Sequence, residues 1–438
     1  IKRLCQSFFL FYDMKLFSFI MLLLYSLISL TDNLDEIFPT VQKEQAEKNV
    51  EEITFPVKDS GSIKIRFLIQ PEHQKHLTRL KKITTLTLKY LEENIGKYPY
   101  DGLVIFDNQN KNETIKLNNT TTVRLDLDYI LPEESFEFEM SVASKIASKY
   151  FGKIIKPVSE NDVWLNYGLS RYIAHKIIEK NYPPQMNVFH LVGYLPIYGI
   201  RFLSYNEIPI IYTLRYFNVP LESSSLKKYY EYSNTVPITG KNKDALNNVE
   251  LEVKNVHKPY LLMLSLDRYF GEMKTLEMLS NYYNENKNRF ADKINFEEKL
   301  FEITSVDSVF NSSVLSLLND NLKYDYAVDS LINKGEDEWE IIASRKEAGK
   351  YPVDIFAYTE KDTLIFKWDG NSVHKKIKFK SENKVIAVEL DPKHKNIFDL
   401  NYANNSYMLE TDYTTSVSVA IRWFFWIQNA IIIIGSVG

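Results

Sequence analysis

The chain is poor in the residues that most often carry chemistry. Of its 438 residues one is cysteine, Cys5, and it precedes the first apolar run. The remainder has no thiol, which excludes disulfides, cysteinyl zinc sites and a cysteine nucleophile there. Histidine occurs seven times, at positions 73, 76, 175, 190, 257, 374 and 394. His73 and His76 are expected on a helix surface, with no carboxylate cluster beside them to complete a metal site. Glycine is scarce at 14 residues, and neither a Gly-rich phosphate loop nor a G-x-S-x-G elbow occurs. Charge is nearly balanced at −4, without a basic stripe interleaved with aromatics, so nucleic acid is not an expected partner. The excess of Lys, Asn, Ile, Tyr and Phe over Ala, Gly and Arg matches an AT-rich coding bias and carries no functional weight.

What is present is an ordinary globular balance, 45% hydrophobic and 25% charged, at a length that suits two or three domains. Residues 16–30 form an uncharged apolar stretch preceded by Met14-Lys15, a natural start for a secretory signal peptide. That stretch suits a signal core and is short of the roughly 20 residues a bilayer crossing needs. Residues 1–30 are therefore expected to be a signal peptide or membrane anchor, and 31–61 a polar linker or short ordered arm. At the other end, Arg422 abuts Trp423-Phe-Phe-Trp426, and Ile431–Ile434 follow. Residues 417–438 are expected to associate with a membrane, as a spanning helix or, given Gln428 and Asn429, as one lying in the interface. Both ends imply an exported protein of the cell envelope.

Between them the hydrophobic period changes twice. Strands are expected at Ile63–Ile69, Leu103–Phe106 and Val123–Leu127, with a helix over 72–95. From Pro132 to about residue 320 the pattern is helical, over 134–150, 162–180, 187–205, 254–270, 273–287 and 304–319. Residues 325–411 then alternate with period two, as in Val353-Asp-Ile-Phe-Ala-Tyr and Lys384-Val-Ile-Ala-Val-Glu-Leu. They predict a small antiparallel sandwich over 323–412. The fold class is α+β.

Two segments carry the functional argument. Residues 144–152 are Ser-Lys-Ile-Ala-Ser-Lys-Tyr-Phe-Gly, and 161–168 are Asn-Asp-Val-Trp-Leu-Asn-Tyr-Gly. They resemble the paired signatures of the gluzincin zinc aminopeptidases, the membrane-alanyl-aminopeptidase family (peptidase family M-one). There the first segment is H-E-x-x-H-x-W/Y-F-G and the second N-D-x-W-L-N-E-G. The frame matches at Tyr150, Phe151, Gly152, Asn161, Asp162, Trp164, Leu165, Asn166 and Gly168. The resemblance implies a thermolysin-like domain over 62–322, a small sheet plus a helical lobe, with the sandwich as an appendage.

It also implies a zinc held by two histidines and a glutamate, with a second glutamate as general base. Those chemical positions have all changed. The histidine positions hold Ser144 and Ser148, the base position holds Lys145, and eighteen residues after Ser148 the glutamate position holds Tyr167. Serine hydroxyls are poor zinc ligands, lysine is a cation, and a phenol is ordinarily protonated near neutral pH. The family's transition-state tyrosine falls on Val256, with Tyr260 one turn away as a possible stand-in. Its G-x-M-E-N motif, due between Leu103 and Leu131, has no match. His175 and Glu179, four apart on the Tyr167 helix, read as a solvated face rather than a replacement metal pair. Glu137 and Glu139 read as an acidic first helical turn. Gly152 is expected to permit a tight turn, and Trp164 to bury a large area.

These readings predict no cofactor and a non-catalytic pseudopeptidase that binds or scaffolds a peptide or protein at a membrane. The alternatives are an active, divergent metallo-aminopeptidase, against which the absence of any H-E-x-x-H argues, and a non-catalytic subunit of an active relative.

Overall fold

A computed structural model describes residues 49–57, 61–107, 120–127, 136–182, 220–232, 248–319, 322–335, 337–410 and part of 413–428. Residues 49–438 belong to one compact unit of mixed helix and sheet. The first sheet has the order β1 (Asn49–Val57), β2 (Gly61–Ile69), β3 (Gly102–Asp107) and β4 (Thr120–Leu125). β1 runs antiparallel to β2, and β2, β3 and β4 are parallel. β3 is buried along its whole length, as suits an apolar run covered on both faces. α1 (Leu77–Asn94), entered through a 3-10 turn that starts at Pro71, makes the crossover from β2 to β3. The expected linker ends early, because residues 49–57 are a strand. Phe55 and Val57 are buried while Glu52, Thr54 and Pro56 are exposed, an alternation that the acidic composition disguises.

The helical lobe follows. α2 (Glu137–Lys149) runs into a π turn at Tyr150–Ile154, and a 3-10 turn at Glu160–Asp162 leads into α3 (Trp164–Asn181). Next come α4 (Ser223–Tyr232), α5 (Asn248–Glu252), a second π turn at Val253–His257, and α6 (Lys258–Phe270). α7 (Glu272–Asn286), α8 (Lys293–Thr304) and α9 (Ser308–Asn319) complete it, and β5 (Lys156–Pro157) pairs with β6 (Phe290–Ala291). The sequence pattern missed α4, the short α5 and α8. α8 buries little besides Phe296 and Leu300, and its clearest signal is the capping box of Asp292 with Asn295. The expected helix at 187–205 lies outside the described residues.

The sandwich has the predicted antiparallel form, in strands β7 (Tyr326–Gly335), β8 (Glu338–Arg345), β9 (Val353–Thr359), β10 (Thr363–Trp368), β11 (His374–Lys380), β12 (Val385–Leu390) and β13 (Ser406–Met408). One sheet has the order β10-β9-β12-β13 and the other β11-β8-β7. The sandwich is fastened to the lobe by a Ser265–Tyr351 hydroxyl pair at 2.7 Å and by Tyr351 meeting Phe310 edge-on at 5.4 Å. Among the described residues no helix is long and apolar enough to cross a membrane, so a spanning C-terminal helix gains no support. Residues 1–30 and 431–438 lie outside the described set.

Candidate functional site

The two signature segments meet where α2, α3 and α6 pack. Gly152 has no positive φ, so the expected turn role is not its reason for being glycine. The reason is close approach: a Cβ there would lie 1.9 Å from the side-chain amide of Asn166. Gly168 does the same for the third helix, since a Cβ there would lie 2.3 Å from the Cβ of Pro259. Trp164 is buried edge-on against Phe296, with ring centroids 5.4 Å apart. Tyr150 sits between Tyr98 and Tyr283, at 5.9 and 5.5 Å, while Phe151 meets Tyr283 edge-on and Leu165 is buried. Asp162 accepts from the Ser159 hydroxyl at 2.6 Å and from the Lys293 amide at 3.2 Å, tying the start of α3 to the start of α8. Exposed Asn161 accepts from the Lys254 ammonium at 3.2 Å. Each frame residue therefore has a packing or capping role.

The chemical positions lie on the more open side of the same helices. Ser144 and Ser148 are half-buried, one helical turn apart on α2. The Ser148 hydroxyl donates to the Lys145 carbonyl at 2.8 Å. The Lys145 ammonium donates to the Arg124 carbonyl on β4 at 3.1 Å, and desolvation there lowers its pKa against the pull of Asp126. Tyr167 is 47% exposed. Val256 is half-buried in the second π turn, and π turns occur disproportionately at functional sites. These residues do not fit a zinc ion. The set offers neutral hydroxyls and an ammonium where zinc takes imidazole or carboxylate, and one hydroxyl is spent as a donor to the backbone.

Other titratable groups resolve into structural pairs. His73 is not on an exposed surface as expected: it is buried and its Nδ1 lies 3.0 Å from the Asp107 carboxylate. Glu139 is more than an acidic first turn, since it is buried and pairs with Arg79, whose Nη2 donates at 2.7 Å. His175 does not meet Glu179. It is buried against the Tyr260 hydroxyl at 2.7 Å, and burial pulls its pKa down to about 4, while Glu179 pairs with Lys176. Tyr260 is wholly buried and so is closed to the role that the resemblance would give a tyrosine near Val256. Ser225, His257 and Glu252 form a line resembling a hydrolase triad, with Ser225 Oγ to His257 Nδ1 at 2.8 Å and His257 Nε2 to Glu252 at 3.1 Å. Ser225 has no exposed surface, so the line clamps α4 to the π turn and offers no accessible nucleophile. Among the described residues no group of three or more His, Cys, Asp and Glu could hold a metal.

A mixed four-stranded sheet, a helical lobe and an antiparallel sandwich make up an α+β fold. Its arrangement is similar to that of a solved aminopeptidase. The Legionella pneumophila aminopeptidase A, solved in complex with aspartic acid, superposes with a TM-score of 0.54 at 10% identity. The superposition covers 84% of this chain, and the chain spans 39% of that aminopeptidase's length. No family model and no curated protein sequence matches the chain.

Proposed function

We propose that the chain is a catalytically silent relative of the gluzincin zinc aminopeptidases, built on the thermolysin-like plan, that binds or scaffolds a peptide or protein at a membrane of the cell envelope. The carrying observation is the division within one helix pair. Glycine, tryptophan and asparagine remain wherever packing demands them, while Ser144, Lys145, Ser148 and Tyr167 occupy the positions where ligands and base would stand. The aminopeptidase-like fold supports the ancestry. Loss of chemistry follows from donor types, since no member of the set can bind zinc as an anion or accept a proton from its water.

Metal analysis of the purified protein is expected to give no stoichiometric zinc, and one equivalent bound would overturn the reading. A gain-of-ligand variant tests the register itself. Ser144→His, Lys145→Glu, Ser148→His and Tyr167→Glu together are expected to confer zinc binding and a zinc-dependent rise in Tm. Membrane attachment is supported by apolar exposure on the C-terminal helix, where Val417, Ile421, Phe424 and Phe425 share a face and all stand open to solvent. Flotation with lipid vesicles, lost on deleting residues 416–438, is the expected result; flotation that survives the deletion would sink that part.

A further inference from the structure

A crevice of about 510 Å³ opens at the end of the first sheet where β3 begins. Its walls are the closed end of the β1–β2 hairpin at Val57, Ser62 and Ile63, the loop Lys97–Asp101, Ile154, and the C-terminal end of α7. It is distinct from the signature face. Lys145 bonds Arg124, near the far end of β4, whereas the crevice adjoins Asp101, level with the start of the parallel pair Gly102 and Thr120. Four residues of strand separate these levels, roughly 13 Å at about 3.3 Å per residue.

The lining has a definite chemistry. Tyr98, Tyr100 and Tyr283 supply an aromatic floor, Tyr98 and Tyr100 meeting edge-on at 5.5 Å. Gly96 lets that floor close, since a Cβ there would touch the Tyr283 ring at 3.0 Å. The rim carries Lys97 and Lys287, and Lys153 adds a third cation over the Tyr100 ring at 4.8 Å, against the single carboxylate of Asp101. Asn284 and Asn288 add amide donors. The hydroxyl of Tyr100, in a side chain more than nine-tenths buried, has no hydrogen-bond partner among the described residues. A buried donor without a partner is costly, and a small shift of the Tyr100 ring toward the crevice would let a ligand oxygen satisfy it. The volume lies in the range of small-molecule sites, about 300–1,000 Å³.

We propose that this crevice is a binding site for a small anion carried on an aromatic or peptide body, a carboxylate or phosphate held by Lys97 and Lys287 with its body over the tyrosines. The site stands independently of the silent-peptidase reading, because none of its residues belongs to the signature segments' chemical positions. Calorimetric titration at low salt with O-phosphotyrosine, the dipeptide Glu-Tyr and inorganic phosphate distinguishes the sources. Saturable binding of phosphotyrosine but not of Glu-Tyr assigns a phosphate ligand, and binding of Glu-Tyr assigns a carboxylate. The double variant Lys97→Glu/Lys287→Glu is expected to weaken binding by more than about tenfold, because like charges then face the ligand. Tyr100→Phe should weaken it about threefold, the loss of one hydrogen bond. Lys376→Glu, on the distant sandwich strand β11, should leave binding unchanged, with thermal melting of each variant confirming an intact fold. Absence of saturable binding to both organic probes up to about 10 mM, the weak limit of a specific site, overturns the proposal, as does binding that the double reversal leaves intact.

Discussion

The packed side and the open side of the α2–α3 pair obey different rules. On the packed side Gly152, Asn166, Gly168 and Trp164 are each fixed by a contact with a neighbouring helix that leaves no room for another residue. On the open side Ser148 and Lys145 bond to backbone carbonyls, and Tyr167 is about half in solvent. Contacts of that kind constrain side-chain identity weakly. On the packed side, therefore, residue identity is held by folding itself, because every change there costs stability. Chemistry constrains sequence only while the reaction is required.

The contrast predicts a gradient of mutational cost that begins on the packed side. The steepest step is expected at the Arg79–Glu139 pair, whose side chains are 9% and 1% exposed. Removing the cation in Arg79→Leu leaves Glu139 buried and uncompensated, a loss of about 3–5 kcal/mol. Equilibrium urea unfolding measures it, and a loss below about 1 kcal/mol would show the pair to be better hydrated than its burial implies. Next come the glycines. Gly168→Ala drives a methyl into the ring of Pro259, which cannot rotate away, and is expected to cost about 3 kcal/mol, at the upper end for overpacking. Gly152→Ala meets only the end of the Asn166 side chain, so it should cost less. Asn166→Ala should relieve part of that cost, and a double-mutant cycle between the two is expected to show coupling of about 1 kcal/mol. Additive effects would mean that the helices do not touch there.

The same contrast explains what could be read from the sequence. The sheet, the long helices and the sandwich were legible because each buries one periodic face, as β9 does in Val353–Thr359. The frame residues were legible as packing residues because glycine and tryptophan stand where the helices approach most closely. β1 was not, because its outward residues are acidic and its buried row is only a few residues long. The partners of the histidines were not legible either. His73–Asp107, His175–Tyr260 and His257–Ser225 join residues 34, 85 and 32 positions apart, and no local pattern announces such a meeting. Gly152 was recognised, but its reason was not, since a close helix approach and a left-handed turn both favour glycine.

A smaller effect should separate the sandwich joint from both faces of the helix pair. Burial pushes Asp391 and Asp399 up to about 6. Asp391 faces Lys395, the Asn396 amide and Asp354, and Asp399 faces Asp325, Asn405 and the Tyr326 amide. Their folded pKa lies above the ordinary carboxylate value of 3.8, so the protonated form is favoured by folding. Their contribution to stability is fully present below pH 3.8 and is lost as pH rises through 6. His175 and His257, both pulled down to about 4 by burial, act in the opposite sense, withdrawing stability as pH falls from 6.5 to 4. The wild-type curve therefore mixes the two. The difference between wild type and Asp391→Asn/Asp399→Asn isolates the carboxylates, and the wild type should gain on the variant between pH 7 and pH 5. A difference that does not change with pH would show that both acids stay ionised through that range.

The smallest effects are expected on the open side of the helix pair. Lys145→Ala removes a bond to a backbone carbonyl that water can replace, and Ser148→Ala removes a hydroxyl bonded within its own helix. Tyr167→Ala removes a ring about half in solvent. Each is expected to change stability by no more than about 0.5 kcal/mol, the ordinary range for surface substitutions. Binding of any partner to the lobe then becomes the sharper readout. If one of the three leaves folding untouched yet abolishes a partner interaction, the open side has been recruited rather than abandoned, and its residues are constrained by recognition. If all three are silent in both assays, the face is free of any requirement, and the frame behind it persists for packing alone.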